Sequence, residues 1–283
     1  MATDSIFSAT SPDGTRIGCV VEGEGPPLLI IHGTGDTHRG WRRIRPLLAS
    51  SFKLYLMDRR GRGVSGDSDA YSLQQEWQDV AAMIDAIGEP VNVFAHSFGA
   101  MCTIEGALLT PNIRRLCVYE PSVNRTVSNP QREFTIDEMA RLVALGDRDS
   151  VVAMHLRHII GASDETIAKQ RARPEEWAAR LAMAHTMPRE LQALRDYRFD
   201  AQRYAAIQVP TRLLLGEKSV GHGPQTAKGL SEAISGAELV KLEGQGHFAM
   251  LTAPELLAQR LVEFYFGFYL MGQSTITMNK TLG

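Results

Sequence analysis

The five residues Ala-His-Ser-Phe-Gly at positions 95–99 carry the strongest chemical signal in the chain. They complete a mostly apolar run at 91–95 and open a segment rich in small residues. A serine on a sharp strand-to-helix turn presents an exposed hydroxyl group, and its neighbours two positions away must be small. Gly99 meets that requirement, and Ala95 is small enough to stand where glycine is usual. The pattern predicts Ser97 as a nucleophile, although a helix-capping serine has the same local signature.

A glycine-rich turn, His-Gly-Thr-Gly at positions 32–35, directly follows another apolar run at 28–31. Such a turn exposes backbone N–H groups at the carboxyl end of a parallel sheet, where ligands bind in such folds. We predict that the N–H groups of Thr34 and Phe98 form an oxyanion hole beside Ser97. A plain β-turn remains the alternative for this segment.

The segment Gly-Gln-Gly-His-Phe at positions 244–248 follows the last apolar run, at 239–242. A loop histidine taken alone is usually a surface residue. A histidine in a glycine-flanked loop after the last strand can instead act as a general base for a serine. We therefore predict that His247 is the general base for Ser97.

The elements that must position these residues follow from the apolar pattern. Runs of three to five apolar residues fit strands that are buried on both faces of a parallel sheet. Segments with helical spacing lie between the runs, which is typical of an α/β fold. The predicted strands are residues 28–31, 54–57, 91–95, 116–119, 213–215 and 239–242.

The alternation of strands and helices stops after about residue 122. From there to about residue 205 the apolar residues have helical spacing only, and strand character resumes at 209–211. We therefore predict a core of residues 1–121 and 206–283 with a helical lid at 122–205. Three histidines of this insert, His155, His158 and His185, have no metal-ligand spacing, so we expect them at the surface or in the pocket lining.

Composition excludes several classes of protein. The 283 residues include 30 Lys and Arg against 32 Asp and Glu, so the net charge of −2 gives no general attraction to nucleic acid or anionic membranes. The three cysteines are too few for a disulfide framework or a zinc site. With no signal-peptide pattern and no apolar run near 18 residues, we expect a soluble, cytoplasmic monomer or homodimer. We expect no nucleic-acid or membrane partner, and no metal or organic cofactor.

Four motifs together resemble the α/β-hydrolase fold superfamily over nearly the whole chain. They are His-Gly at 32–33, Asp-Arg-Arg-Gly-Arg-Gly-Val-Ser at 58–65, the turn at Ser97, and Gly-His at 246–247. The resemblance implies an eight-stranded, mostly parallel sheet with a helical lid inserted after strand six. The arginines at 39, 42, 43, 45, 59, 60 and 62 could hold a carboxylate or phosphate of a substrate, but a solvated helix face with salt bridges is the favoured interpretation.

The sequence departs from the family pattern at the acid of the triad. Members most often place an aspartate about three residues beyond a glycine after strand seven, and Ser219 stands there. A serine cannot supply the negative charge that stabilises a protonated histidine. Glu217 or Glu120 could replace it, and a carboxylate that ends a buried strand needs a partner such as His247. Glu120 resembles the acid of zearalenone lactone hydrolases and many haloalkane dehalogenases, so we predict Glu120, with Glu217 as the alternative.

The resemblance implies a serine hydrolase, an esterase or lactonase acting on a small to medium apolar substrate. We expect Trp41 and Met250 to line its pocket. Two alternatives stay open. One is non-hydrolytic chemistry on the same triad, such as perhydrolysis, lyase chemistry or cofactor-free oxygenation. The other is a receptor-like binding protein with slow or no turnover.

Overall fold

The computed structural model describes residues 5–122, 130–220 and 222–267. Within them, eight strands form one sheet. The strands are β1 (Ser5–Thr10), β2 (Arg16–Glu22), β3 (Pro27–Ile31), β4 (Lys53–Met57), β5 (Val91–His96), β6 (Ile113–Tyr119), β7 (Thr211–Gly216) and β8 (Glu238–Leu242).

The order of the strands across the sheet is β1-β2-β4-β3-β5-β6-β7-β8. The pairs of β2 with β1 and with β4 are antiparallel, and every other pair is parallel. The expected α/β-hydrolase architecture is therefore confirmed, with each of the six predicted runs inside one strand. The carboxyl ends of β3, β5, β6 and β8 meet at one edge, which brings the turns after them together.

Helices cover both faces of the sheet and fill the interval between β6 and β7. The α-helices are α1 (Arg45–Leu48), α2 (Leu73–Ile87), α3 (Ser97–Gly106), α4 (Pro130–Ala144), α5 (Arg148–Met154), α6 (Asp164–Arg171), α7 (Pro174–Ala182), α8 (Thr186–Asp196), α9 (His222–Ala233), α10 (Ala249–Thr252) and α11 (Pro254–Phe266). Short 3₁₀ helices span His38–Trp41 and Ala201–Ala206, and a π-helical segment, His155–Ile160, continues α5.

Helix α2 illustrates why the sequence folds locally as it does. The Ser72 side chain caps its first turn by accepting the Gln75 N–H, and the helix ends at Gly88 in the left-handed conformation. Val80 and Ile84, four residues apart, are buried on its core-facing side. The helix thereby covers one face of the sheet next to α3.

Apolar side chains form three separate clusters. The first joins one face of the sheet to α2, α3 and α9, and the second joins the other face to α1 and α11. The third lies within the helices between β6 and β7 and includes Met139 and Trp177. The predicted insert is thus helical where it is described, with an apolar cluster of its own. Its exact division from the core remains a prediction.

The structure also shows the state of the cysteines and the lengths of the apolar helices. All three cysteines are buried and unpaired. Among the described ranges, no helix is long and apolar enough to cross a membrane. The last residues of the chain, from 268 onward, lie outside the described residues.

Candidate active site

Ser97 lies at the sharp turn between β5 and α3. Its φ of 55° falls in the left-handed region, which is strained for any residue other than glycine. The residues around this turn are small because the turn packs closely against the loop after β3. A Cβ atom on Gly33 would lie 2.9 Å from the Ser97 Cβ, and a Cβ atom on Gly99 would overlap the His32 carbonyl oxygen. Ala95 is fully buried at the end of the strand. This is the geometry of a nucleophile elbow.

His247 lies in the loop between β8 and α10, with its ring between Ser97 and Glu120. The Nε2 atom is 3.1 Å from the Ser97 Oγ, and the Nδ1 atom is 2.6 Å from the Glu120 Oε2. An ionised carboxylate only accepts hydrogen bonds, so Nδ1 carries the proton and Nε2 is left to accept from the serine hydroxyl. Three residues from distant parts of the chain therefore form one hydrogen-bonded line.

Glu120 directly follows β6 and also has a left-handed backbone, with a φ of 47°. Its Oε1 atom accepts the Gly216 N–H at 2.7 Å and the Ser219 hydroxyl group. Burial alone would raise the pKa of Glu120, but the hydrogen bonds from His247, Ser219 and Gly216 outweigh it and lower the pKa. The residue at the usual acid position, Ser219, thus supports a carboxylate that arrives from the neighbouring strand.

Glu217, the alternative acid, points elsewhere. Its side chain is exposed, and its carboxylate accepts the Gly244 N–H at 2.8 Å. That contact ties two loops together at the surface. Of the two candidate acids, the structure brings Glu120 to His247 and does not bring Glu217 there.

The predicted oxyanion donors lie beside Ser97. Phe98 is in the first turn of α3, where the N–H groups have no acceptor within the helix. Thr34 lines the same cavity as Ser97, and Gly33 packs against the Ser97 side chain. Both residues therefore lie close to Ser97, and the oxyanion hole that their N–H groups would form remains a prediction.

Two buried side chains hold the His247 loop and were not recognised in the sequence. The His96 Nε2–H donates to the His247 carbonyl oxygen at 2.8 Å, and the two imidazole rings lie 4.5 Å apart. Burial, followed by the charge of His247, lowers the pKa of His96 far below its usual value. The Tyr119 hydroxyl group donates to the carbonyl oxygen of Gly246. Both anchors act on backbone carbonyls, so nothing in the local sequence pattern marks them.

A cavity of about 730 Å³ opens above Ser97, between the sheet edge and the inserted helices. Trp41 and Met250 both line it, as expected. Ser122 also lines it, with its Oγ 3.3 Å from that of Ser97. Aliphatic side chains of the insert, such as Ile159 and Leu191, form part of the wall. The described residues contain no cluster of three or more His, Cys, Asp or Glu side chains that could hold a metal ion.

The prediction of a solvated arginine face is wrong for Arg59, Arg60 and Arg62, which are buried. The salt bridges that it included are present. Arg59 makes a two-point ion pair with Glu76, with N···O distances of 2.7 and 3.0 Å. Arg60 pairs in the same way with Asp79 on α2, at 2.7 Å. The guanidinium groups of Arg59 and Arg60 form buried structural ion pairs with these carboxylates, so they are not available to bind a substrate.

Comparisons with known proteins agree with this architecture. The chain matches the alpha/beta hydrolase family over residues 28–260. A crystal structure of an alpha/beta hydrolase from Sphaerobacter thermophilus is 33% identical, with a TM-score of 0.77, and the match covers 92% of this chain and all of that one. The (E)-2-((N-methylformamido)methylene)succinate hydrolase of Acinetobacter baylyi is 26% identical over 85% of this chain and 90% of its own length.

A third relative is similar over a shorter region. A Mycobacterium tuberculosis protein named as the oxidoreductase EphD is 39% identical over 98 residues. That match covers 32% of this chain and only 17% of the relative, so it carries no activity over to this chain. The family match spans most of the sequence and includes every residue of the site described above. The chain belongs to the alpha/beta hydrolase family.

Proposed function

We propose that this protein hydrolyses acyl bonds through a Ser97–His247–Glu120 triad. The observation that carries the proposal is the unbroken line of hydrogen bonds, 3.1 Å from Ser97 to His247 and 2.6 Å from His247 to Glu120. A serine, a base and an acid in this order can cleave acyl bonds without a metal ion. Ser97, the first residue of this hydrogen-bonded triad, lines a cavity large enough for a small to medium substrate.

Each member of the triad has a defined step. His247 Nε2 takes the proton from Ser97 as the serine oxygen attacks the substrate carbonyl. The N–H groups of Thr34 and Phe98 stabilise the resulting oxyanion. His247 then gives the proton to the leaving group, and water cleaves the acyl-enzyme by the same path in reverse. Glu120 stays ionised throughout and stabilises the imidazolium ion, consistent with its lowered pKa.

A carboxylic ester or lactone is the preferred class of substrate. An alkoxide leaves more readily than an amide nitrogen, and aliphatic and aromatic side chains form much of the cavity wall. An amide is the second candidate, because the Acinetobacter baylyi relative is named for a substrate with an N-methylformamido group. Matched p-nitrophenyl ester and p-nitroanilide substrates with one acyl group distinguish the two classes. A p-nitroanilide with the higher kcat/KM would favour the amide.

A fluorophosphonate probe tests the proposed nucleophile. The wild-type protein should be labelled at Ser97, and Ser97→Ala should lose both labelling and ester hydrolysis while circular dichroism stays unchanged. Ser122→Ala is the matched control, because Ser122 is a second cavity serine within 3.3 Å of Ser97. It should still be labelled. Labelling that persists in Ser97→Ala, or a wild-type protein that resists the probe, would contradict the proposal and favour a binding protein.

A further inference from the structure

The wall of the cavity opposite the sheet carries positive charge. Among the described residues that line the cavity, Arg132 and Arg180 come from the insert and Lys218 from the loop after β7. Two carboxylates, Asp36 and Glu120, line it as well. Glu120 is already engaged by His247 and Ser219. An apolar substrate alone does not explain why cations face this space.

Arg180, on α7, is the best placed of these cations. Its Nη1–H donates to the Gly35 carbonyl oxygen at 3.1 Å, which fixes the guanidinium group against the turn that supplies Thr34. Within residues 5–122, 130–220 and 222–267 it forms no ion pair. Asp36 feels its charge, but burial, the larger influence, raises the pKa of that carboxyl group.

His155 lies beside Arg180 with both of its ring nitrogens unused. Its side chain is 1% exposed, lines the cavity, and makes no hydrogen bond within the described part of the chain. Burial, and then the charge of Arg180, lower the pKa of His155 to about 4, so the ring is neutral and offers one N–H donor. A Cβ atom on Gly35 would lie 2.7 Å from its Cε1. A buried polar group without a partner is rare and calls for an explanation such as a ligand.

We propose that the substrate carries a carboxylate group, which binds Arg180 and His155 while its acyl bond lies at Ser97. A carboxylate matches the planar fork of a guanidinium group and also accepts from a neutral imidazole N–H. Both donors meet at Gly35, the residue after Thr34, so one ligand can reach them and the oxyanion hole together. Arg132 also lines the cavity, and its charge lowers the pKa of His155, whereas the charge of Glu190 raises it.

This inference rests on the proposed function and narrows its substrate class to carboxylate-bearing acyl compounds. The test compares p-nitrophenyl monoesters of adipate, pimelate and suberate with the same compounds carrying a methyl ester in place of the free carboxylate. For at least one chain length, wild-type kcat/KM should be about tenfold higher for the free acid, mainly through a lower KM. Arg180→Gln should abolish the preference, so that kcat/KM for the free acid falls to the value that the same variant shows for the methyl ester.

Further variants separate charge from shape. Arg180→Lys keeps the charge but loses the planar fork, so it should keep only part of the preference. His155→Phe keeps a ring without nitrogens and should also reduce it. Arg141→Gln is the matched control, because Arg141 is an exposed lid arginine on α4 that pairs with Glu138. It should leave the preference unchanged.

A second measurement needs no turnover and no variant. Monomethyl adipate should slow fluorophosphonate labelling of the wild-type protein at concentrations where dimethyl adipate does not. Equal hydrolysis of acid and methyl ester, with equal protection by the two probes, would overturn the inference and leave the proposed function intact. A wild-type protein that neither hydrolyses esters nor reacts with the probe would instead overturn the proposed function.

Discussion

Glu120 has a strained, left-handed backbone directly after β6, and this conformation directs its side chain towards His247. The turn sends its carboxylate sideways to the carboxyl end of β7, where Gly216 and Ser219 donate to one oxygen. The other oxygen is left for His247. A strained, non-glycine residue persists only where its surroundings over-determine it, as here.

Replacing each candidate acid, Glu120 or Glu217, by glutamine removes its charge and distinguishes their roles. Glu120→Gln keeps the shape but removes the charge that orients and stabilises His247, so kcat/KM should fall by roughly 10³–10⁴-fold, as in other triads. Glu217→Gln changes only a surface contact with Gly244 and should stay within about threefold. Steady-state kinetics on a p-nitrophenyl ester measure both.

Thermal unfolding of both variants is the control, because a folded Glu120→Gln protein is needed to interpret its rate. If Glu217→Gln were the variant that lost turnover, the acid would have been assigned wrongly. Equal, small losses in both would mean that His247 works without a carboxylate partner.

The sequence allowed prediction of those site residues that sit in local motifs. Ser97 and His247 each lie in a glycine-containing turn that follows an apolar run, and these local patterns, taken together with the other motifs, predicted them. Glu120 required a comparison of two strand ends, because 127 positions separate it from His247. Arg180 and His155 lie on insert helices, and no local pattern shows which way such side chains point.

Helix α8 carries a buried glutamate whose ion pairs join the insert to the loop after β4. Glu190 on this helix is fully buried, with Arg59 at 2.9 Å and Arg62 in a shorter contact. Its side chain also interacts with Thr34, the predicted oxyanion donor. Burial would raise the pKa of Glu190, but the charges of Arg59 and Arg62 outweigh it and lower the pKa.

Glu190→Gln should therefore destabilise the protein strongly. Removing one partner of a buried ion pair leaves charge uncompensated, which costs about 3–5 kcal/mol. The matched control is Glu138→Gln, which breaks the exposed pair with Arg141 and should cost less than about 1 kcal/mol. Urea unfolding at pH 7 gives both free energies. Similar small losses would mean that the buried network contributes little.

The pH dependence of that loss follows from the sign of the shift. Because the pKa of Glu190 is lower in the folded than in the unfolded protein, its ionisation stabilises the fold above the unfolded value of about 4.3. That stabilisation is lost as the pH falls towards the folded pKa. The difference between wild type and Glu190→Gln should thus be constant near neutral pH and shrink below about pH 4.3. A difference that grew in acid would contradict this assignment.

At the scale of the molecule, six of the eight strands were predicted from apolar runs. Strand β8 is largely exposed and was predicted from Leu239, Val240 and Leu242 alone. The other five, β3 to β7, are buried over most of their length. A strand buried on both sides must be apolar throughout, which gives a continuous run. Strand β1, at the antiparallel end of the sheet, is largely exposed and has no such run. Strand β2 beside it is mostly buried, and its apolar run at 19–21 was not assigned to a strand. Only the family resemblance implied them.

The three apolar clusters also predict how the molecule opens. Helices α6 and α7 each bury one residue, Ile167 and Trp177, in the insert cluster, whereas β5 is buried along its whole length. Leu194 on α8 belongs to the sheet cluster instead. Segments with few buried contacts open locally at a free energy below that of global unfolding. We therefore expect α6 and α7 to open first, while α8 opens with the sheet.

Hydrogen exchange followed by mass spectrometry measures this hierarchy. Amides of α6 and α7 should exchange well before those of β5, and amides of α8 should follow the sheet, since Leu194 and Glu190 join it to the core. Trp177→Ala should accelerate exchange in α7 and leave β5 unchanged. If the insert and the sheet exchanged together at the rate of global unfolding, the predicted division at residue 122 would not mark a separate unit.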